Sequence, residues 1–479
     1  MSTLPKPLSS ERVKLKPENL AARKYGTYDM VRIWGYENTI SYSLKVHGES
    51  ALVLSKVAPN LVPPDHAQRL AEKSSLNYIK PDRIREIEEK TGHDIIAINT
   101  GLEEILDEEL KQHPGKIKTS ADTSQPARAL QLKASLEVIA DSLENLRDIV
   151  IEKSIQWIDK PHMDLTHLYD ALPTIAGRPF AHYAEMLQSN LNLLQIIYKT
   201  SIMGKWADAT GNHHSAKSLG VDGILLENEF CKSLKINHMI APAQLPGIEF
   251  ESDIVYVAAR TSETLNNIAQ FIAYGRGDDC NIFINGNPKK KKGSSAMPHK
   301  DAKNGNPDIE EQIKSIRNKM QGWMITALSN CELPYARTLY ASANSRIDFE
   351  NNFKFLDQGI RKLAEVVYWL KLRENRAEER VTRSFGVVTS QQILNYLTSQ
   401  EHVKNPMPRS EAHNLMGELA TKAWESKTQF IELLLKNEDV TSRINEETLR
   451  RISNPLEYIG ESKRIIELVK EAFYKKKTL

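Results

Sequence analysis

Cysteine is scarce in this chain: Cys231, Cys280 and Cys331 are the only three in 479 residues. So few thiols, odd in number and far apart, argue against a disulfide framework and against a closed zinc site. An excess of charge of either sign is also missing. The formal net charge is +2, so no global field points to nucleic acid or membrane, and any affinity for anions must be built locally. No apolar run approaches the roughly 18 residues that a spanning helix needs. The first residues, MSTLPKPLSSERVKLKPENLAARKYG, show neither an apolar h-region nor a small-residue cleavage site, so the expected location is the cytoplasm.

What is present is ordinary globular composition, 26% charged and 40% hydrophobic, in a chain long enough for several domains. Alternating stretches bounded by turns are scarce, and apolar residues recur every three or four positions, so the fold class is all-α. One stripe runs Leu132, Leu136, Ile139, Leu143, Leu146, Val150; another Ile254, Val257, Ala258, Thr261, Leu265, Ile268, Ile272. Ile309, Ile313, Ile316 and Met320 begin a third, and Phe353, Leu356, Ile360, Leu363, Val367 and Leu370 form a fourth. Long helices of similar pattern pack side by side as a bundle. Their apolar residues spread beyond one narrow face, which predicts burial against other subunits. Shorter pieces broken at Pro59, Pro63, Pro64 and Pro81 precede the bundle, and shorter, more charged ones follow it. The expected domains are 1–118, a central 119–373 and 374–479.

Helical periodicity stops between Asn285 and Pro307, where the chain reads NGNPKKKKGSSAMPHKDAKNGNP. A loop this long is expected to be either a functional lid or a solvated crossover. Gly293, Ser294 and Ser295 in succession can turn their N–H groups to one point, and Lys300 can add a cation. Such an arrangement helps a serine hydroxyl act as a base. The Lys289–Lys292 run reads most simply as a solvated flank. Four lysines without interleaved aromatics make a poor nucleic-acid platform, so no nucleic-acid partner is expected.

Gly293–Lys300, GSSAMPHK, resembles the signature loop of the fumarase/aspartase superfamily. THLYDALPT at Thr166–Thr174 and TSADTSQPARALQLK from Thr119 are similar to two further motifs of that superfamily. TGHDIIAI (Thr91–Ile98), ARTLYASANSR (Ala336–Arg346) and KYGTYDM (Lys24–Met30) look most like the adenylosuccinate lyases within it, and the likeness runs from about Lys24 to Gly460. It implies three helical domains around a long-helix bundle, a homotetramer whose active sites draw on three subunits, and β-elimination of fumarate from a nucleotide without a metal or organic cofactor.

Releasing fumarate needs a base for a carbon-bound proton, donors for the carboxylate that develops charge, and an acid for the leaving nitrogen. By resemblance Ser294 is the base and His167, expected on a helix distant from the loop, is the acid. His93 supports His167 or contacts phosphate, a reading preferred over a helix-capping or buried structural histidine. Lys300 and Asn306 hold the carboxylates. Glu311 orients the acid, although a first-turn glutamate also suits the helix dipole. Thr119, Ser120 and Gln244 bind substrate, the first two being equally able to cap the following helix. Arg337, Ser342 and Arg346 suit a phosphate monoester, with Asp348 as a possible carboxylate partner for the arginines. Asp94, Lys24 and Tyr25 complete the set.

The chain departs from the family pattern in places. DAKNG separates Lys300 from Asn306-Pro307 and makes Asn304 a rival for the carboxylate contact. Gly92, Lys24, Leu165, Gln312 and Gly247 stand where relatives tend to carry arginine. The alternatives are another lyase of the superfamily, such as argininosuccinate lyase or fumarase, or a non-catalytic structural protein on the same fold.

Overall fold

The computed structural model describes residue 6 and residues 25–289, 294–303 and 305–479, with 301–303 as backbone alone. Its frame is a set of long helices: α1 (Tyr36–Val57), α2 (Asp94–Ile105), α3 (Ala121–Gln156), α4 (Arg178–Thr200), α5 (Glu249–Arg276), α6 (Asp308–Ser329) and α7 (Tyr340–Trp369). α3 packs on α4 and α7, while α5 packs on α4, α6 and α7, which gives a bundle. The stripes account for this packing. Leu136, Ile139, Leu143, Leu146 and Val150 of α3 are buried, as are Ile254, Leu265, Ile268 and Ile272 of α5 and Phe353, Leu356, Ile360, Leu363 and Val367 of α7.

Apolar residues of the helices between Met30 and Leu110 join the same core, and so do Ile466 and Val469 of α9 (Ser462–Phe473). A second core, from Ile393 to Ile452, forms among the shorter helices around α8 (Arg409–Ser426). Among the described residues no helix is long and apolar enough to cross a membrane.

Two short two-stranded sheets interrupt the helices. β1 (Pro161–Thr166) pairs antiparallel with β2 (Tyr169–Ile175), with an irregularity at Asp164/Leu165. β3 (Phe283–Asn285) pairs antiparallel with β4 (Leu370–Leu372), joining the start of the signature loop to the end of α7.

Buried polar groups fix how the elements meet. Asp122, in the first turn of α3, is fully buried and so is Lys205, and the two are ion-paired. Asp122 also accepts the N–H of Ala207 (3.0 Å) and of Thr119 (2.8 Å), while the Lys205 ammonium donates to the carbonyl of Asp208 (2.6 Å). Asp122 thereby meets three donors and Lys205 two acceptors, the kind of compensation that burying an ion pair needs. A second hub is Asp357 of α7, which accepts from Thr27 (2.5 Å), Ser142 of α3 (2.6 Å) and Arg361 (3.1 Å). Arg361 reaches on to Asp29 (2.7 Å), so the segment after Tyr25 is held to the bundle.

Removing one partner of the first hub leaves an uncompensated buried charge. Asp122→Ala is expected to lower unfolding free energy by about 3–5 kcal/mol, read as a shift of the urea midpoint. Asp122→Asn, whose single carbonyl oxygen can still accept one of the two N–H groups, should cost less.

His162 in β1 is buried, edge-on to Phe271, and burial first, with Arg380 second, pulls its imidazole down to about 4. The unfolded chain takes up this proton near pH 6.5, the folded chain only near 4, so unfolding binds a proton between the two and stability falls as pH drops through that window. His162→Gln should flatten the fall of Tm between pH 6.5 and 4.5 relative to wild type.

Candidate active site

Residues from five parts of the chain, Ile84 and Glu88 of the helix Pro81–Thr91 among them, line one cleft of about 290 Å³. Arg337, Ser342, Arg346 and Glu350 come from the start of α7 and the turn before it, and Ser124, Gln125, Arg128 and Gln131 from α3. Asp94, Ile95 and Ile98 belong to α2, while Trp34, Tyr36, Thr39 and Ile40 close the opposite wall. The helical period explains the lining. Ser342, Arg346 and Glu350 are spaced i, i+4, i+8, and Ser124, Gln125, Arg128 and Gln131 fall within one face of α3. Four of the residues expected from sequence to bind substrate, Asp94, Arg337, Ser342 and Arg346, therefore share a single cavity.

The cleft is electrostatically prepared for an anion. Burial, followed by the guanidiniums of Arg346 and Arg128, pushes Arg337 below the ordinary arginine range. Its Nη1 is shielded from water and has no hydrogen-bond partner among the described residues. A buried donor left unmade costs free energy that an incoming oxygen recovers. Asp348 lies beside Lys319, whose charge acts on a carboxyl that burial raises. The partnership with the arginines considered from sequence is not among the described ion pairs.

Other expected residues border this region. His93 is the N-cap of α2: its Nδ1 accepts the N–H of Ile95 (3.2 Å) and lies 3.1 Å from the Asp94 carboxylate. That is the capping role weighed from sequence, and it fixes the imidazole at the cleft's edge. Thr119 and Ser120 precede α3, but the hydroxyl of Ser120 makes no cap bond; the Asp122 carboxylate takes the N–H of Thr119 instead. Gln244 donates its N–H to the carbonyl of Ala336 (3.1 Å), next to Arg337. Tyr25 packs edge-on to Phe355 at 5.4 Å. Lys24 lies outside the described residues.

The signature loop is not featureless. It leaves β3, turns at Ser294 and forms a 3-10 helix at Pro298–Lys303 before α6. The Ser294 hydroxyl oxygen accepts the N–H of Ala296 (3.2 Å) and of Met297 (3.1 Å). These donors lie C-terminal to the serine; the nest expected from the Gly293–Ser295 run falls partly outside the described residues, as do Lys290–Lys292 and Asn304. The reason is local: a serine hydroxyl bonds most readily to N–H groups two and three residues on. Two N–H dipoles on one oxygen also favour negative charge there.

Lys300 is half-buried, its N–H donating to Met297 (3.1 Å) and its carbonyl accepting from Gly305 (3.1 Å). Asn306 is exposed, and its carbonyl receives Arg276 at 3.4 Å. Glu311 faces solvent in the first turn of α6, while its neighbour Glu310 is buried and bonded to Arg276 at 2.6 Å.

His167 differs most from expectation, because it is not on a helix. It is the first residue of the two-residue turn between β1 and β2, exposed, with φ of 52° at His167 and 69° at Leu168. Positive φ at both central positions is what a tight type I′ hairpin turn requires. Leu168 and Tyr169 beside it are 81% and 79% exposed. Neither His167 nor Ser294 lines the cleft of the arginines.

Comparison with known proteins agrees with this layout. Residues 28–322 match the family model described as "Lyase", and residues 386–469 match "Adenylosuccinate lyase C-terminus". The adenylosuccinate lyase of Methanocaldococcus jannaschii is 28% identical over 470 residues, covering 98% of each chain; that of Pyrococcus abyssi is 27% identical over 449, covering 93% of this chain and 96% of its own. Among solved structures, a fumarate lyase from Mesorhizobium superposes with a TM-score of 0.78 at 19% identity, over 93% of this chain and 98% of its own. The β-carboxy-cis,cis-muconate cycloisomerase of Acinetobacter calcoaceticus does so with 0.80 at 15%, over 95% and 100%. These two share the fold. With one model matching more than half of the chain and relatives aligned along nearly all of it, the chain belongs to the lyase family and is a C–N lyase of the adenylosuccinate lyase group within the fumarase/aspartase superfamily.

Proposed function

We propose that this enzyme converts adenylosuccinate to AMP and fumarate, and SAICAR to AICAR and fumarate, in the cytoplasm and as a homotetramer. The observation that carries the reading is the cleft in which Arg337, Arg346 and Ser342 meet around an unsatisfied buried guanidinium nitrogen, a setting that suits a phosphate monoester. The full-length adenylosuccinate lyase relatives support the same substrate.

In the proposed reaction Ser294 removes a proton from the succinyl carbon next to a carboxylate. Lys300 and Asn306 hold the two carboxylates while charge builds there. The C–N bond then breaks, the electron pair leaves with nitrogen, and His167 supplies the proton that nitrogen needs. The two N–H groups already directed at the Ser294 oxygen support its role, since they lower the cost of the serine alkoxide. Glu311 orients the acid, and His93, Asp94, Thr119, Ser120, Gln244, Lys24 and Tyr25 complete substrate binding. Sites shared between subunits fit a chain whose bundle helices keep Ile196, Ile325, Leu328 and Ile347 in water.

An ultraviolet assay with adenylosuccinate tests the reading. Ser294→Ala and His167→Ala should each lower kcat by about 10²–10⁴-fold with Tm unchanged. A folded wild-type enzyme that is inert toward this substrate overturns it and points to another lyase of the superfamily. Arg337→Ala combined with Arg346→Ala should lower kcat/KM by about 10²-fold or more for the nucleotide, and should spare turnover of a substrate that lacks phosphate.

A further inference from the structure

We infer that Arg128, which stands in the TSADTSQPARALQLK stretch but to which the resemblance assigns no role, is a third phosphate-binding arginine of the substrate cleft. The inference rests on the nucleotide reading above and extends it to a residue without an assigned function. Arg128 lies on α3, two positions beyond Pro126, and lines the cleft together with Arg337 and Arg346. Its charge acts directly on Arg337, alongside that of Arg346. Three guanidiniums of like sign are thus held within electrostatic reach of one another around an open space. Such an arrangement raises the energy of the empty site and is relieved by a multiply charged anion.

Arg128 is aimed rather than loose. Its side chain is only 13% exposed, its Nη1 lies 3.3 Å from Glu251, and its guanidinium sits 5.7 Å from the ring centre of Phe349. Glu251 is held in turn by the hydroxyl of Ser345 (3.0 Å). One long carboxylate contact and an aromatic face leave most of the five donors of a guanidinium uncommitted. Three acidic residues, Glu88, Asp94 and Glu350, also line the cleft; Glu350 pairs with Lys354, and Asp94 accepts the N–H of Ile95 at the start of α2 (2.8 Å).

The test compares AMP with adenosine, which differ by the phosphate, by isothermal titration against wild type, Arg128→Gln and Arg128→Lys, with KM and kcat for adenylosuccinate measured alongside. Loss of one charge-assisted contact should weaken AMP by about tenfold or more and leave adenosine binding within about twofold. The effect on turnover should fall on KM, and Arg128→Lys should recover part of it. If Arg128 only braces Glu251 and Phe349, Arg128→Gln will weaken AMP and adenosine equally, or change neither, and the inference falls. Should Arg128→Gln not fold, the AMP-to-adenosine ratio of Arg128→Lys decides: an unchanged ratio overturns the inference, and a lowered one supports it. Wild-type protein inert toward adenylosuccinate overturns the function proposed above, while the ligand comparison still judges Arg128.

Discussion

The paired charges of Asp122 and Lys205 set the geometry on which the cleft depends. Asp122 closes the start of α3 by taking the N–H of Thr119, and through Lys205 and Ala207 it locks that start to a loop 83 residues further on. Both charges are withdrawn from water, so the arrangement is stable only when every bond in it is made. Ser124, Gln125, Arg128 and Gln131 all follow within three turns of this anchor and present their side chains to the cleft. An aspartate inside a motif associated with substrate therefore acts here chiefly on the register and tilt of the helix that carries the binding residues.

Cation placement then decides what the cleft can hold. Arg337 and Arg346 come from α7 and the turn before it, and the Asp357 hub ties α7 to α3 and to the segment around Thr27. Two buried carboxylates thus hold in place the two helices whose facing stripes carry the guanidiniums. The unmet nitrogen of Arg337 is tolerable because the surrounding framework is over-determined.

Much of the architecture was legible in the residues themselves. The stripes through Leu136, Leu265 and Ile360 mark helices whose burial the structure reproduces, because a 3.6-residue period over five or more turns has few other readings. The strands at Pro161–Thr166 and Tyr169–Ile175 were not legible. PHMDLTHLYDALPTI mixes polar and apolar residues without alternation, since only the base of the hairpin, His162, Met163 and Pro173 to Ile175, is buried while its tip is exposed. His167 was consequently placed on a helix when it occupies a turn. In the signature loop Ser294 was readable as an acceptor, while the N–H groups of Ala296 and Met297 as its donors were not, because that choice depends on backbone angles and not on composition. Glu310 and Glu311 illustrate the same limit: adjacent identical residues part company only when the helix phase settles which one meets Arg276. Lys205 matters through partners far away in sequence, and no local pattern marks it; Arg128 stands in the TSADTSQPARALQLK stretch, but only the fold shows that it meets Arg337.

The turn at His167 sets foldability against chemistry. A two-residue connection with left-handed backbone at both positions is served best by Asn-Gly, which adopts it without the steric cost that a histidine and a leucine carry. Any optimisation of this hairpin for rigidity alone would therefore begin by erasing the imidazole proposed as the acid. That the chain keeps His-Leu there means the protruding tip is held slightly above its conformational minimum, and its neighbours in the ladder must supply the difference.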